Sequence, residues 1–298
     1  MWLAATGAAL AHSFEFVAEH MPEAAMNNRL ATLPLWDDGA AAGTGWQFAV
    51  QAGVEQIATG ALSVRGPALS VAAWKPVNGR WAVHIHAFRD DLRFAGNNDQ
   101  RTLDTRVAQP PLALPAEALF TDLQGRLHNS GAGIAVKTKG DGGWLGGHEW
   151  IAGMQLNQLR LSGYRATYRV LEGPSRGATG FVNYSGNYNF AVPFAGLGLV
   201  RQIGSWSLNA HALLALPLPR RGVQGRIAGP GFDLSGDTAK AGNGKHVGDV
   251  SLTLGLDITF VPWGLTAAVG TFASQPLIEA AVHKGINRNW VISMSKRI

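Results

Sequence analysis

Apolar and polar residues alternate along much of the chain with a period of two, which is the pattern of a β-strand. The longest example is 246–260, where one parity is apolar from residue 250 onward: Val250, Leu252, Leu254, Leu256, Ile258 and Phe260. Similar alternation runs through 45–56, 80–90, 181–192 and 205–216. In a soluble sandwich the apolar face of such strands is buried, whereas in a membrane barrel it faces lipid and the polar face lines the interior.

Composition favours the membrane alternative. Hydrophobic residues make up 46% of the 298 residues and charged residues only 15%. No apolar run approaches the roughly 18 to 20 residues that a transmembrane helix needs, so a membrane protein with this sequence must cross as strands. The 38 glycines and 10 tryptophans suit tight turns and interfacial anchors.

The connections between the alternating segments fall into two kinds. Short turns that contain Gly and lie beside Trp occur in "AAWKPVNGRWAV", "GLVRQIGSWSL" and "ITFVPWGLTAA", whereas 95–147 and 220–245 are predicted to be long loops. Short turns on one side and long loops on the other are typical of bacterial outer-membrane barrels. We therefore predict an all-β, antiparallel, up-and-down transmembrane barrel of about 10 to 12 strands, with a narrow lumen.

The two ends of the chain carry further indications. "MWLAATGAALAHS" ends in a small-residue pattern typical of a cleavage site, so we interpret 1–11 as the remnant of a signal peptide and 12–298 as a single barrel domain. An ordinary apolar first strand is the alternative. The final segment "NWVISMSKRI" puts Trp290, Ile292, Met294 and Ile298 on one parity, with Lys296 among them.

This final segment resembles the C-terminal strand of bacterial outer-membrane β-barrel proteins. The resemblance covers that strand and, more loosely, the strand pattern of the whole chain. It departs from the class in ending on Ile298, where Phe or Trp is favoured, and in carrying Lys296, whose ammonium group would have to snorkel to the interface. It implies a Gram-negative outer-membrane location, a porin-like fold, contact with outer-membrane lipid, and recognition of the last strand by the barrel assembly machinery.

On the barrel hypothesis, the polar parity predicts which side chains line the lumen. The predicted lumen-lining and solute-contacting residues are His84, His86, Arg165, Arg169, Asn183, Asn187, Asn189, His211, Asp249 and Asp257. Two inward arginines would favour anionic solutes, or would pair with lumenal carboxylates. The sequence leaves these two alternatives equal.

Catalytic and metal-binding chemistry is weakly indicated. His84 and His86 lie on one face of a strand, but HExxH, EF-hand and Cys/His motifs are missing, and the chain has no Cys. His211 with Ser207, or His84 with Asp90, could form a hydrolase pair only if the fold brought them together. We therefore assign no catalytic residue, metal or cofactor from the sequence.

Charge and motif content leave three hypotheses for function. The net charge of +5 is spread along the chain without the basic blocks or interleaved aromatic residues of a nucleic-acid groove, so nucleic acid is not predicted as a partner. The first hypothesis is a narrow channel or solute-specific transporter that favours small anions. The second is an interaction or assembly protein that binds a surface partner through long loops, and the third is a lipid- or peptide-modifying hydrolase.

Overall fold

Strands account for most of the structure, a computed structural model that describes residues 29–33, 45–59, 62–78, 80–94, 101–104, 117–139, 147–170, 176–177, 179–219, 224–229, 232–237, 250–274 and 290–298. The strands are β1 (Gln47–Thr59), β2 (Leu62–Pro76), β3 (Trp81–Phe94), β4 (Arg101–Asp104), β5 (Glu117–Lys139), β6 (Gly147–Val170), β7 (Thr179–Ile203), β8 (Trp206–Ala215), β9 (Leu218–Pro219), β10 (Gln224–Gly229), β11 (Phe232–Asp237), β12 (Ser251–Phe260), β13 (Leu265–Ser274) and β14 (Trp290–Arg297). Two 3-10 helices span Arg29–Thr32 and Val261–Trp263. Among the described residues, no helix has the length and apolar character needed to span a membrane.

Ten antiparallel strands close into a barrel. The ring runs β1–β2–β3–β5–β6–β7–β8–β12–β13–β14 and is closed by β14 pairing with β1, from Ala49 opposite Arg297 to Gln56 opposite Trp290. The predicted all-β barrel is thus confirmed, with a strand number at the lower bound of the prediction. The segment 1–11, interpreted as a signal-peptide remnant, lies outside the described residues.

The aliphatic side chains of the alternating strands face outward from the barrel, as β12 shows. On β12, Leu252, Leu254, Leu256 and Ile258 are 39–44% exposed, whereas Thr253 and Asp257 on the other parity are buried. Because a closed barrel satisfies its backbone hydrogen bonds internally, such a surface can face hydrocarbon. The protein is therefore a membrane barrel of the bacterial outer-membrane type.

One end of the barrel carries short turns and exposed tryptophans, and we call it the turn end. β2–β3, β7–β8 and β12–β13 are joined there by 77–80, 204–205 and 261–264. The exposed tryptophans near these connections are Trp46, Trp81, Trp150, Trp206 and Trp263. In outer-membrane barrels the short turns face the periplasm and an aromatic girdle marks the interface. The opposite end, where β6–β7 and β13–β14 are connected, is called the loop end.

The C-terminal strand has the predicted orientation. Ile292, Met294 and Ile298 are exposed on the outer face of the barrel, whereas Val291 and Ser293 are buried. Lys296 is also outward, and its Nζ donates a hydrogen bond to the backbone oxygen of Trp263 in the turn between β12 and β13. This contact brings the ammonium group to the turn end, as expected for a snorkelling lysine.

Three strands extend far beyond one membrane crossing. β5, β6 and β7 contain 23, 24 and 25 residues, whereas about 9 to 11 residues suffice to cross a bilayer. At the loop end β7 also pairs with β10, and β10 with β11. We call this extension, formed by 117–125, 163–170, 179–187 and 224–237, the projecting sheet.

The prediction that 95–147 is a long loop is wrong, because β5 occupies 117–139 and only part of that segment connects strands.

A β-bulge at the base of the projecting sheet reverses the parity of β6. Leu161 pairs with Gly186 but Tyr164 pairs with Tyr184, so β6 contains one more residue than β7 across this step. Gly163 sits in the bulge with φ +60°, a conformation that favours glycine. Odd residues of β6 face the lumen before the bulge and the outer surface after it. The prediction that Arg165 and Arg169 point into the lumen is therefore wrong, and both are exposed on the outside.

The asparagines of β7 also lie on the outer parity. Phe190, Val192 and Phe194 are buried inside the barrel, and Asn183 and Asn189 have the opposite parity. Toward the loop end the lumen is lined mainly by apolar side chains, which we call the apolar layer: Ile57, Val64, Phe88, Leu92, Phe94, Leu127, Leu159, Leu161 and Leu213. Asn189 pairs with Gln158 and Asn187 with Arg160, where the outer surface has become polar. The prediction that Asn183, Asn187 and Asn189 line the lumen is therefore wrong.

Candidate functional site

A layer of polar side chains fills the lumen toward the turn end, and we call it the polar layer. Its centre contains Lys137 of β5 and Glu149 of β6, whose Nζ and Oε2 atoms are 2.6 Å apart. Their side chains are 2% and 4% exposed. An ion pair buried this completely is strongly coupled, because neither charge has water to replace its partner. The pair therefore links the neighbouring strands β5 and β6 on their lumenal face.

A chain of hydrogen bonds begins in the polar layer and runs toward the loop end. It links lumenal side chains of β3, β5 and β6. His86 Nε2 donates to Gln155 Oε1 at 2.9 Å, and Gln155 Nε2 donates to Asn157 Oδ1 at 2.8 Å. Asn157 Nδ2 then donates to Asn129 Oδ1 at 3.5 Å, and Asn129 Nδ2 donates to Asp90 Oδ2 at 3.1 Å. Every donor points toward the buried carboxylate, an arrangement in which successive hydrogen bonds polarise one another. These side chains occupy the lumen instead of leaving it open.

An N-terminal segment also occupies the lumen. Residues 30–33 are buried, and the segment contacts β8, β12, β13 and β14. His211 Nε2 donates to the backbone oxygen of Leu30 at 3.0 Å, and Gln51 Nε2 donates to that of Thr32 at 3.2 Å and to Ser293 Oγ at 2.6 Å. We call 29–33 the lumenal segment. It fills part of the lumenal cross-section that the inward side chains of the strands leave open.

The lumenal segment fits against β12 and β13 because each of these neighbouring strands has a glycine at the point of contact. A Cβ atom on Gly270 would lie 2.3 Å from Ala31 Cβ, and one on Gly255 would lie 2.2 Å from Ala31 O. Either distance is far below a van der Waals contact. The two glycines therefore form a cradle for Ala31, and this close approach explains why these strand positions carry no side chain.

The described histidines and carboxylates of the prediction, His84, His86, His211 and Asp257, are buried in the lumen but do not form the hypothesised hydrolase pairs. His211 binds Leu30 O, Asp90 accepts from Asn129, and His84 stacks on Trp74 with ring centroids 6.3 Å apart. Within the described part of the chain, no group of three or more His, Cys, Asp or Glu side chains is arranged to hold a metal ion. These side chains serve the packing of the lumen in this structure.

Sequence parity placed His84, His86, His211 and Asp257 on the buried face, where the structure has them. Asp249 lies outside the described residues. Sequence reasoning missed Lys137, Glu149, Gln155, Asn157 and the lumenal segment. Alternation in 147–157 could have placed Gln155 and Asn157 inside, but the lumenal segment contains no pattern that predicts its position.

Comparison with known proteins concerns the fold alone. No family model matches the chain, and no curated protein matches it in sequence. Among solved structures, the translocator domain of the autotransporter NalP from Neisseria meningitidis is 13% identical with a TM-score of 0.35, covering 95% of this chain and 97% of that one. The transport unit of the autotransporter AIDA-I from Escherichia coli is 10% identical with a TM-score of 0.34, covering 92% and 95%. A major outer membrane protein from Thermus thermophilus is 11% identical with a TM-score of 0.32, covering 85% and 100%.

Proposed function

We propose that the protein is an outer-membrane interaction protein, in which a closed barrel anchors the projecting sheet as a binding surface outside the membrane. The observation that carries this proposal is the filled lumen: the polar layer, the apolar layer above it and the lumenal segment occupy the interior together. Side chains and backbone groups bonded in this way resist passage of solutes, because each would have to be displaced and left without a partner.

The projecting sheet offers a surface for an anionic partner. Arg165, Arg169 and Arg176 are exposed at this end of the molecule. The guanidinium of Arg165 lies 5.1 Å from the ring centroid of Phe181 on β7, a cation–π distance that orients the side chain. Exposed arginines bind carboxylate, sulfate and phosphate groups through paired hydrogen bonds. We therefore propose an acidic polysaccharide or acidic protein as the surface partner.

A binding measurement with matched variants tests this proposal. We expect the folded protein in detergent to bind heparin, used as a probe polyanion, with an affinity that falls as salt is raised. Replacing Arg165 and Arg169 with Gln should weaken binding by about tenfold or more, since charged hydrogen bonds contribute about 1.5 to 3 kcal/mol each. Arg80→Gln, at the opposite end of the barrel, is the control and should bind as the wild type does. Equal binding by all three proteins would contradict an arginine-dependent surface.

A narrow channel is the second candidate function. It is favoured by the contacts of the lumenal segment, since the hydrogen bonds from His211 and Gln51 reach it through backbone oxygens of Leu30 and Thr32. The segment could leave the lumen by breaking these hydrogen bonds and withdrawing its buried Leu30 and Leu33 side chains. A preference for small anionic solutes is no longer supported, because Arg165 and Arg169 lie on the outside of the barrel.

Insertion of the barrel requires a further partner. The outward residues of β14, including Ile292 and Met294, form an apolar stripe next to β1 at the point where the barrel closes. We propose that this strand is the one that the barrel assembly machinery recognises.

A further inference from the structure

The outer surface of the barrel changes abruptly from aliphatic to basic on one side. On β3, the outward series Ile85 and Ala87 is followed by Arg89, and on β6 the series Met154 and Leu156 is followed by Gln158 and Arg160. Both arginines are exposed. Since the aliphatic residues mark the hydrocarbon region, the guanidinium groups lie where lipid headgroups begin.

Strand pairing gathers these groups into one concave surface. Arg89 pairs with Ser130, which pairs with Gln158, while His128 pairs with Arg160, which pairs with Asn187. Arg89, His128, Ser130, Gln158, Arg160 and Asn187 line a shallow depression across β3, β5, β6 and β7, which we call the headgroup surface. Its side chains are rich in hydrogen-bond donors. The Oδ1 atom of Asp91, a carboxylate in this region, lies 3.5 Å from His128 Nδ1. The side chains of Arg89 and Arg160 face outward beside this pair.

One polar group on this surface lacks a partner. The Oδ1 atom of Asn187 is buried and accepts no hydrogen bond within the described part of the structure. A buried polar atom without a partner costs about 1 to 3 kcal/mol. A group that would satisfy this acceptor is a hydrogen-bond donor, such as a hydroxyl group of a phosphorylated sugar headgroup.

The described residues of β8 and β12 do not share this chemistry. Their outward side chains stay apolar toward the loop end, with Leu214, Leu252 and Val250 exposed. The paired strands β3, β5, β6 and β7 therefore carry a group of polar and cationic side chains that these two strands lack.

We propose that the headgroup surface binds the phosphate groups of a phosphorylated lipid in the outer leaflet. Arg89 and Arg160 would pair with phosphate oxygens, His128 and Gln158 would donate further hydrogen bonds, and Asn187 Oδ1 would accept one from a headgroup hydroxyl. The acyl chains of the same lipid would lie along Ile134, Met154 and Leu156, which are exposed directly below. This inference does not depend on the proposed surface partner, because it uses other residues and the face that borders the membrane.

Lipid retention in nanodiscs of stated composition tests the site. The folded protein is placed in phosphatidylcholine nanodiscs that contain diphosphorylated lipid A, and the lipid A that stays bound is quantified by native mass spectrometry. We expect selective retention by the wild type and at least about tenfold weaker retention after Arg89→Gln with Arg160→Gln, since two charge-assisted contacts are lost. Arg201→Gln, which removes an exposed outward arginine of β7 near the turn end, is the matched control and should retain lipid A fully.

Two further arms identify the ligand. Dephosphorylated lipid A should be retained weakly by every protein, and inorganic phosphate should compete poorly because it lacks acyl chains. Heat-modifiable mobility in gels checks that each variant is folded. The proposal is overturned if the folded double variant retains lipid A as the wild type does, if dephosphorylated lipid A binds equally well, or if inorganic phosphate displaces the lipid readily.

Discussion

Individual side chains in this barrel face opposite solvents at different heights. Leu254 is exposed to the hydrocarbon side near the middle of β12, whereas Leu159 of β6 is fully buried inside the barrel toward the loop end. The same residue type therefore occupies the outer surface in one half and the interior in the other. What decides its orientation is which side of the wall excludes water at that height.

The buried ion pair of the polar layer gives a test at this scale. Lys137→Met should lower the free energy of unfolding by about 3 to 5 kcal/mol, because it leaves the buried Glu149 carboxylate without its cation. Adding Glu149→Leu should recover much of that loss, since a pair of apolar groups carries no uncompensated charge. Urea titrations of the proteins refolded in lipid vesicles would measure the wild type, Lys137→Met, Glu149→Leu and the double variant. Additive losses in the double variant would show that the two charges are not coupled.

Strands were predictable where one face meets lipid and the other meets the polar layer. β12 and β8 alternate strictly, and their inward and outward faces are those that the sequence indicates. β7 was assigned the wrong inward face, because its asparagines lie at a height where the outer surface is polar and therefore face outward. Alternation gave the wrong orientation for Arg165 and Arg169 of β6 for another reason. A single bulge at Gly163 shifts every later residue to the other face. Neither the height of a residue nor the presence of a bulge is encoded in alternation.

Among the elements, the lumenal segment is the one whose position depends on a specific gap in two strands. Gly270→Val should displace it, because the added side chain would occupy the space of Ala31. The chain contains no Cys, so Ala31→Cys introduces a single reporter thiol. We expect this thiol to react slowly with a maleimide in the otherwise wild-type barrel, where residue 31 is 1% exposed, and at least about tenfold faster with Gly270→Val present.

Gly45→Ala is the control for this experiment, since nothing lies within 4 Å of a Cβ atom at that position. It should leave the labelling rate unchanged. Rapid labelling of Ala31→Cys without any second substitution would mean that the segment does not rest in the lumen.

At the scale of the whole molecule, the barrel combines a membrane anchor, a filled interior and a sheet that rises beyond the bilayer. β5, β6 and β7 supply wall, interior and projecting surface from continuous strands, so the three parts are mechanically joined. The arginines predicted to line a pore instead decorate the outside. On the proposed function, the molecule presents this surface to a partner and its interior holds the surface in place.

Electrical recording across a planar bilayer tests the closed lumen most directly. The folded protein is added to a bilayer in symmetrical salt, and flotation with lipid vesicles confirms that it inserts. We predict that inserted wild-type barrels produce no stepwise increase in conductance, because on the proposed function the polar layer, the apolar layer and the lumenal segment together close the lumen. Reproducible, long-lived conductance steps from the wild-type protein would contradict a closed lumen and would make the narrow channel the primary function.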